Sequence, residues 1–370
     1  MGKPKKIVEE LLSLCGVSIN GGNPWDIQVK DERVFARVLR DQSLGLGESY
    51  MDGWWSCARV DEFICRILRA QLDRKVMASW KHFVPIALSL AFNRQSRTRS
   101  KEVAEQHYDL GNDLFLSFLD PYNQYSCAYF KGTDDLNEAQ INKMALICRK
   151  LDLKPPDRVL DIGFGWGGLG RYMAEQCQCQ VSGVNISEEQ IQFAQDFCKG
   201  FPVEIIHADY RDVKGIFDKI VSVGMFEHVG RKNYRTFMEV AHRALKDDGI
   251  FLLHTIGNNK SQRTSDPWIA KYIFPNGELP SIAQITKAVE GLFVVEDLHN
   301  IGPHYERTLM AWHERFQNAW PNLRNKYDER FKRMWEYYLL SCAGAFRARD
   351  IQLWQFVLTK TGTQQPKCRY

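Results

Sequence analysis

The chain has 370 residues, of which 44% are hydrophobic and 25% charged, and its formal net charge is +4 at pH 7. This length suits one large domain with a smaller one, and the composition is that of a globular protein with a substantial core, not of a disordered or fibrous chain. The first residues lead into a mixed segment, IVEELLSLCG, so a secretory signal peptide is not expected. The longest nearly apolar run, residues 83–92, is about half of the roughly 20 residues that span a bilayer.

The ten cysteines show no C-x-x-C pair and no regular spacing, and Cys177 and Cys179 are the only close couple. This usage predicts free thiols in a reducing compartment, not a disulfide or zinc framework. We therefore expect a cytoplasmic protein without a metal site.

Charge is concentrated in one part of the chain. Residues 66–101 contain nine Lys and Arg against one acid, Asp73, so this window carries +8 and the remainder −4. Two interpretations remain open: a surface that lies on anionic lipid or on a partner, or an ordinary solvated basic face over a core stripe. Apolar residues recur in the window at helical spacing, namely Val76, Trp80, Phe83, Ala87 and Leu90.

The pattern of the chain changes after its first quarter. Residues 1–95 show mainly helical periodicity and predict a smaller N-terminal domain, whereas residues 96–370 predict a second, α/β domain after a polar, basic linker at 93–101. Short β-rich runs separated by helical stretches predict a doubly wound, largely parallel sheet of seven strands. The runs lie at 158–163, 180–185, 203–208, 219–224, 250–256, 292–300 and 351–360.

The sequence VLDIGFGWGGLG, residues 159–170, contains the end of the first predicted strand of this domain and the glycine-rich segment that follows it. Gly163, Gly165 and Gly168 satisfy the pattern G-x-G-x-x-G, which holds a dinucleotide or another adenosyl cofactor in the first βα turn. A pyrophosphate would be repelled by Asp161, two residues before the first glycine, whereas the sulfonium and ammonium of S-adenosylmethionine would be attracted. Asn185 stands where a dinucleotide site has a ribose-binding acid. The pattern therefore favours S-adenosylmethionine.

Eight motifs follow one another along the chain: HYDLGNDLF (107–115), YSCAYF (125–130), LDIGFGWGG (160–168), GVNISEEQ (183–190), MFEHVG (225–230), LLHTIG (252–257), GPHYERTLMAW (302–312) and CAGAFRARD (342–350). Together and in this order they resemble those of the cyclopropane-fatty-acyl-phospholipid synthases, within the wider family of mycolic-acid cyclopropane synthases. The residues before about 95 are similar to the branch that acts on phospholipids. The resemblance therefore implies a lipid- or membrane-associating domain at 1–95 and an S-adenosylmethionine-dependent catalytic domain at 96–370.

The resemblance implies a class I methyltransferase (Rossmann-like) fold and transfer of a methylene group from S-adenosylmethionine to the cis double bond of acyl chains in membrane phospholipids. An unactivated alkene is a poor nucleophile, so catalysis must align it with the sulfonium methyl in a slot that excludes water. Attack leaves a carbocation, which aromatic faces or a nearby anion stabilise. A base must then remove a methyl proton so that the ring closes.

In this family the base is a bound bicarbonate ion. A glutamate, a histidine, a tyrosine and backbone groups hold the bicarbonate in the family. By their motifs, the corresponding residues of this chain are Glu227, His254 and Tyr305, with the stretches around Cys127 and Ile256. Glu227 follows the fourth strand and His254 lies near the end of the fifth, so both are expected at the carboxyl edge of the sheet. We expect His254 to donate to bicarbonate and Glu227 to accept its proton.

Each of these residues also has a structural interpretation. Glu227 would begin a surface helix, His254 would be a satisfied core histidine, and Tyr305 would only pack. Cys127 is expected to contribute a backbone donor, because the mechanism forms no enzyme-bound intermediate. Cys342 has been treated in the family as a candidate catalytic thiol, but no step requires it and a small buried thiol is the interpretation we favour.

The resemblance also implies contacts to the methyl donor. Asn185 stands where relatives commonly have threonine, and Gln190 also completes a capping box with Ser187, so a structural role is its alternative. The implied contacts are Tyr125 and Ser126 at the amino-acid end, Gly163 and Gly165 along the backbone, Asp161 and Asn185 beside the loop, Gln190 at the ribose and Tyr210 on the adenine.

Two rival functions stay open at this point. One is a fatty-acyl C-methyltransferase that gives a branched or methylene product by the same carbocation, and the other is a lipid-binding module without catalysis. The expected partners are unsaturated phospholipid and, through the +8 window, the anionic inner face of the membrane as a peripheral contact. Nucleic acid is not expected, and a homodimer is left open.

Replacement of Arg94, Arg97 and Arg99 by glutamate is expected to weaken binding to anionic vesicles without changing the affinity for S-adenosylmethionine. Each basic residue near an anionic surface contributes about 1 kcal/mol, so three charge reversals remove much of the attraction. Co-sedimentation with anionic and with neutral vesicles measures the effect. Unchanged binding to the anionic vesicles would count against this docking surface.

Overall fold

The computed structural model describes residues 3–72, 111–261 and 265–369. Most of the +8 window, the linker predicted at 93–101 and the first four residues of the HYDLGNDLF motif lie outside the described residues. In the parts that are described, none of the helices combines the length and the apolar character needed to span a membrane.

Helices and strands alternate through the second half of the chain. Helices cover Lys3–Ser13, Arg33–Met51, Val60–Arg69, Asn112–Phe118, Leu136–Leu151, Gly168–Cys177, Glu188–Phe197, Tyr234–Ala244, Pro267–Tyr272, Ile282–Val289, Gly302–Leu323 and Glu329–Arg347. The strands are β1 (Gln28–Val29), β2 (Trp55–Ser56), β3 (Arg158–Ile162), β4 (Gln180–Asn185), β5 (Val203–His207), β6 (Phe217–Val223), β7 (Leu245–Asn258), β8 (Val294–Asn300) and β9 (Ile351–Thr359).

Seven strands form one sheet in the order β5-β4-β3-β6-β7-β9-β8. The five strands β3 to β7 pair in parallel, and β8 pairs antiparallel with β9. β3 lies inside the sheet between β4 and β6, and four of its five residues are buried, as expected for a strand covered on both faces. The predicted seven-stranded α/β sheet is confirmed.

The chain divides into two compact units, and the division differs from the contiguous boundary predicted between residues 95 and 96. The second unit contains the seven-stranded sheet, apart from Ile351 at the start of β9. The first unit combines Met1–Asn93 with Ser265–Pro275 and Leu309–Ile351, and the second combines Arg94–Thr264, Asn276–Thr308 and Gln352–Tyr370.

Packing within the first unit explains why a late segment belongs to it. The fully buried Trp55 lies 5.3 Å from the Phe63 ring and 6.4 Å from the Tyr337 ring, measured between centroids. Arg347 forms a 2.7 Å ion pair with Asp61, which is 1% exposed. These contacts join helix Glu329–Arg347 to the N-terminal helices, and periodicity along the sequence does not encode such long-range pairing.

In the second unit, one aromatic side chain fixes the glycine loop that follows β3. The buried Phe164 ring lies against Gly183 in β4 and against Gly170 in helix Gly168–Cys177. At either glycine a Cβ atom would collide with that ring. The two glycines therefore leave the space in which Phe164 anchors the loop.

Gly183→Ala is expected to lower the free energy of unfolding by about 1–3 kcal/mol, because the new methyl group overpacks the core against Phe164. A urea titration of the purified chain measures the change. The loss should shrink in a Phe164→Leu background, since the colliding ring is then absent. The matched substitution Gly22→Ala, where no described atom lies within 4 Å of the new Cβ, should cause no loss. An equal loss at both glycines would contradict the packing argument.

Candidate active site

The candidate site lies at the carboxyl edge of the sheet, where the strand order reverses. From β3 the chain proceeds outwards to β4 and β5, and β6 and β7 then lie on the other side of β3. Ligands bind at such a reversal because the loops that leave the two central strands diverge. Asp161 lies in β3 and Glu227 follows β6, so both flank the reversal.

The loop after β3 passes close to the segment after β6. Gly163 has a φ of +94°, in the left-handed region that favours glycine, and a Cβ atom there would lie 2.5 Å from Met225 Cβ. Gly165 has a φ of +56°, and among the described residues no heavy atom lies within 4 Å of its Cβ position. Gly163 therefore allows the close approach of Met225, whereas Gly165 leaves open space beside bare backbone.

Asp161 is a buried carboxyl group with one unsatisfied oxygen. The residue is 2% exposed, and its Oδ1 atom has no hydrogen-bond partner among the described residues. Burial raises the pKa of Asp161 to about 7, and the positive charge of Lys143 partly opposes the shift. A cationic ligand beside this carboxyl would favour its charged form, so the position suits a positively charged group.

Glu227 is held in a 3-10 turn, Phe226–His228, directly after β6. Its Oε1 atom accepts a 2.6 Å hydrogen bond from the backbone N–H of Ile256, while Oε2 is buried without a partner in the described parts of the chain. Its carbonyl oxygen accepts from the N–H of Glu278 at 2.8 Å. Burial raises the pKa of Glu227 to about 7, and the hydrogen bond from the N–H of Ile256 to the carboxyl partly opposes the shift. The interpretation of Glu227 as a surface residue is wrong.

His254 lies in β7 directly beside Val223 at the end of β6, and it is 1% exposed. The Gln355 amide nitrogen lies 3.2 Å from His254 Nδ1. An amide nitrogen can only donate, so Nδ1 accepts and the proton of the neutral ring resides on Nε2. Burial, together with the charges of Lys143 and Lys150, keeps the pKa of His254 well below its usual value. The Nε2 atom has no hydrogen-bond partner among the described residues.

Two hydrogen bonds join the YSCAYF segment to the helix that carries Tyr305. The N–H of Ala128 donates to Thr308 Oγ1, and the N–H of Phe130 donates to His304 Nδ1, each at 3.0 Å. Tyr305 lies between these two anchors along the helix and is 8% exposed. The structure therefore brings the first two turns of this helix to the YSCAYF segment.

Cys127 is fully buried in the same segment. Its Sγ–H donates to the carbonyl oxygen of Ala128 at 3.2 Å, and burial raises the pKa of the thiol. A thiol held in the neutral form is a poor nucleophile, which agrees with the expectation that Cys127 does not act through its sulfur.

Tyr125 and Ser126 lie between the glycine loop and helix Leu136–Leu151. The Tyr125 ring makes edge contacts with Phe115 at 5.1 Å and with Trp166, a residue of the glycine loop, at 6.4 Å. Ser126 Oγ accepts a 3.0 Å hydrogen bond from Lys143. The two residues expected at the amino-acid end of the methyl donor thus lie beside the loop.

Asn185 and Gln190 form a hydrogen-bonded pair beside the glycine loop. Asn185 Nδ2 donates to Gln190 Oε1 at 2.9 Å and to the carbonyl oxygen of Gly165 at 3.3 Å. Ser187 caps helix Glu188–Phe197 by accepting from the N–H of Gln190, but the N–H of Ser187 donates to Asn185 Oδ1. Asn185 thus takes the acceptor role that a capping box gives to glutamine, so only half of the predicted box forms.

Tyr210 follows β5 and is buried against the core, with its ring 5.2 Å from that of Phe237. Burial raises the pKa of its hydroxyl. Its packing role is evident, and stacking on adenine stays a prediction.

Cys342 lies in the first unit, whereas the other candidate residues lie in the second. It is partly buried in helix Glu329–Arg347, and desolvation raises the pKa of its thiol to about 12. This thiol is therefore not activated as a nucleophile.

Three residues of the site were missed by sequence reasoning. Lys143 lies on the buried face of its helix, in line with Ala139 and Ile147. A lysine within an apolar stripe of a predicted helix is the feature of the sequence that indicates a buried charge at this position. Glu278 and Gln355 come from a loop and from the last strand, and no spacing in the sequence connects them to Glu227 or His254.

Comparison with known proteins identifies the family of the chain. A model of the mycolic acid cyclopropane synthetase family matches residues 95–356. The cyclopropane-fatty-acyl-phospholipid synthase of Escherichia coli (strain K12) is 57% identical over 355 residues, which cover 96% of this chain and 93% of that protein. The tuberculostearic acid methyltransferase of Mycobacterium tuberculosis is 34% identical over 348 residues, which cover 88% of this chain and 81% of that protein.

A solved structure supports the same assignment. A mycolic acid cyclopropane synthase complexed with SAH and CTAB has a TM-score of 0.66 and 34% identity, with 70% of this chain and 98% of that chain covered. The predicted class I methyltransferase fold is confirmed by this similarity and by the strand order. From its motifs, its sheet and these relatives, the chain belongs to the mycolic acid cyclopropane synthetase family.

Proposed function

We propose that this chain transfers a methylene group from S-adenosylmethionine to the cis double bond of acyl chains esterified in phospholipid, forming a cyclopropane ring and S-adenosylhomocysteine. One observation carries the proposal. Buried polar atoms at the carboxyl edge of the sheet have no partner among the described residues, among them Asp161 Oδ1, Glu227 Oε2 and His254 Nε2. Buried polar atoms in native proteins are normally paired, so these atoms call for ligands.

The residues around the glycine loop fit S-adenosylmethionine. Asp161 offers a buried carboxyl oxygen to a cation, and Gly165 leaves space beside bare backbone. When bound, S-adenosylmethionine supplies an electrophilic methyl group on a positively charged sulfur. Asp161 balances that positive charge, and Tyr125, Ser126, Asn185, Gln190 and Tyr210 are the further residues that would hold the donor.

Glu227 and His254 fit a bicarbonate ion, which would supply the base. The His254 Nε2–H is a donor without a protein partner, and Glu227 Oε2 is an acceptor when the carboxyl is ionised. One donor and one acceptor match the oxygen anion and the hydroxyl group of bicarbonate. Ile256 orients Glu227 through its backbone N–H, and Tyr305 and Cys127 belong to the same proposed cluster.

Glu227 is well suited to take up a proton. Its pKa of about 7 lies near the working pH, where a group exchanges protons most effectively. Because Oε1 is engaged by Ile256, the proton is received at Oε2. His254 stays neutral because burial disfavours its charged form, so it remains a donor and does not compete for the proton.

The proposed substrate requires contact with a membrane. The +8 charge of residues 66–101 would attract anionic phospholipid, and the contact we propose is peripheral, on the inner face of the membrane. The cis double bond lies within the acyl chain, so the chain must reach the site while the head group stays at the surface.

A product assay tests the proposal. Vesicles of unsaturated phospholipid are incubated with the protein and S-adenosylmethionine carrying a labelled methyl group, with and without added bicarbonate, and the acyl chains are analysed by mass spectrometry. We expect labelled chains that gain one methylene group and lose the double bond, and faster turnover with bicarbonate. A methyl-branched product would instead favour the fatty-acyl C-methyltransferase, and no gain of mass would contradict both.

Glu227→Gln is expected to lower turnover in this assay by about 100-fold or more, the usual contribution of a general base or its proton acceptor. The amide keeps the shape of the side chain but cannot take up the proton. Binding of S-adenosylhomocysteine, measured by calorimetry, should be unchanged. Glu239→Gln serves as the matched control, because Glu239 is about half exposed and pairs with Arg235 on the surface. Full turnover by Glu227→Gln would overturn the assignment.

Turnover at saturating donor, lipid and bicarbonate should fall as the pH drops below about 7. Glu227 is ionised above its raised pKa of about 7 and protonated below it, so the fraction able to accept a proton declines about tenfold per pH unit on the acid side. Saturating donor is needed because Asp161 titrates in the same range and acts on donor binding. A pH–rate profile measures this fall of turnover on the acid side. A rate independent of pH between about 5.5 and 8 would contradict the role of Glu227 as proton acceptor.

A further inference from the structure

Lys143 is a buried lysine without a carboxylate at ion-pair distance in the described parts of the chain. It is 0% exposed, and Nζ donates to two neutral acceptors, the side-chain oxygen of Gln124 and, at 3.0 Å, Ser126 Oγ. Asp120 and Asp161 act on it only through longer-range attraction. Removing an ammonium group from water without a direct counter-ion is costly, so this charge calls for a function.

The loop that Lys143 contacts is already held by neutral hydrogen bonds. Gln140, on the same helix face as Lys143, donates to the carbonyl oxygens of Ser126 at 2.9 Å and of Gln124 at 3.3 Å. Asp120 accepts from the N–H of Gln124 at 2.8 Å. Because these bonds fix the main chain, Lys143 is not needed to shape the loop, and it acts on the side chains of Ser126 and Gln124.

The bond to Lys143 decides what the Ser126 hydroxyl can do. An ammonium group only donates, so Ser126 Oγ accepts, and its own proton must point to another acceptor. No described residue accepts that proton. A hydroxyl polarised by a nearby cation is a strong donor and favours an anionic acceptor. The Ser126 hydroxyl is therefore suited to donate to an anionic group of a ligand, whereas the Asp161 carboxyl is suited to bind a cationic group.

We propose that Lys143 is a positioning residue for the carboxylate at the amino-acid end of the methyl donor. It directs the Ser126 hydroxyl to donate to that carboxylate and adds a positive charge behind it, while Asp161 balances the positive groups of the same ligand. This inference rests on the proposed function, since it takes its ligand from it. Burial lowers the pKa of Lys143 to about 8, which still leaves the ammonium form in excess at pH 7.

Binding of two nucleosides distinguishes a role of Lys143 in positioning the ligand carboxylate from a purely structural role. S-adenosylhomocysteine contains the amino-acid end, and 5′-methylthioadenosine lacks it while keeping the adenosine and the sulfur. In Lys143→Met, titration calorimetry should show S-adenosylhomocysteine binding weakened roughly 10- to 100-fold, the effect expected for loss of a charge-assisted hydrogen bond. Binding of 5′-methylthioadenosine should change less than about twofold, because its contacts are untouched.

Lys150→Met is the matched control. Lys150 lies on the same helix, is 1% exposed and pairs with Asp297, which keeps a second partner, Arg369, at 2.6 Å. This variant also loses a buried ammonium group, but we expect the preference for S-adenosylhomocysteine over 5′-methylthioadenosine to be unchanged. An equal loss of preference in Lys150→Met would overturn the inference.

Further variants keep the inference falsifiable if Lys143→Met does not fold. Lys143→Gln retains hydrogen-bonding groups but no charge, and the same selective loss is expected. Ser126→Ala should also reduce S-adenosylhomocysteine binding selectively. The double variant Lys143→Met/Ser126→Ala should lose less than the sum of the two single losses, because the part of the Lys143 effect that passes through the hydroxyl is already absent in Ser126→Ala. Additive losses, equal losses for both nucleosides, or no loss would overturn the role of Lys143. A wild-type chain that binds neither nucleoside would instead contradict the proposed function, and this inference with it.

Discussion

The burial of ionisable groups without counter-ions is the constraint on which the site depends. Asp161 and Glu227 are both buried, each has one oxygen without a partner among the described residues, and desolvation raises both pKa values to about 7. A carboxylate removed from water is destabilised unless a cation or donors replace its hydration. Ligand binding therefore gains energy by supplying these missing partners, and the same dry surroundings strengthen every interaction with the reacting groups.

The fold keeps such groups in place because each is attached to rigid backbone. Glu227 is bonded to the backbone of β7 through Ile256 and to the following loop through Glu278, and His254 lies within β7 itself. The glycine loop is anchored by Phe164, whose ring occupies the space that Gly183 leaves in β4. Sites built on strands and held by main-chain hydrogen bonds keep their geometry better than sites on free loops.

The sequence predicted the features that depend on local pattern. Alternating apolar runs are enough to predict the sheet, and the rule that parallel strands end at one edge is enough to bring Glu227 and His254 to the same place. The motifs identified the family. What the sequence did not predict depends on contacts between distant segments. Nothing in the spacing indicates that Leu309–Ile351 packs with the N-terminal helices, or that Asn185 completes the cap of Ser187.

The position of the proton acceptor also bears on which product this family forms. After methyl transfer, removal of a proton from the new methyl group closes a ring, whereas removal from a neighbouring carbon gives a branched alkene. Both outcomes use the same methyl donor and the same cation, so the groups that bind the donor cannot distinguish them. Glu227, which would hold the proposed bicarbonate, is fixed by the N–H groups of Ile256 and Glu278, which leaves the base little freedom to reach a different carbon. Divergence between ring-forming and branching relatives would therefore arise in the two segments that hold the Glu227 carboxyl, β7 at Ile256 and the loop around Glu278. Of these two segments, the loop around Glu278 is the less buried.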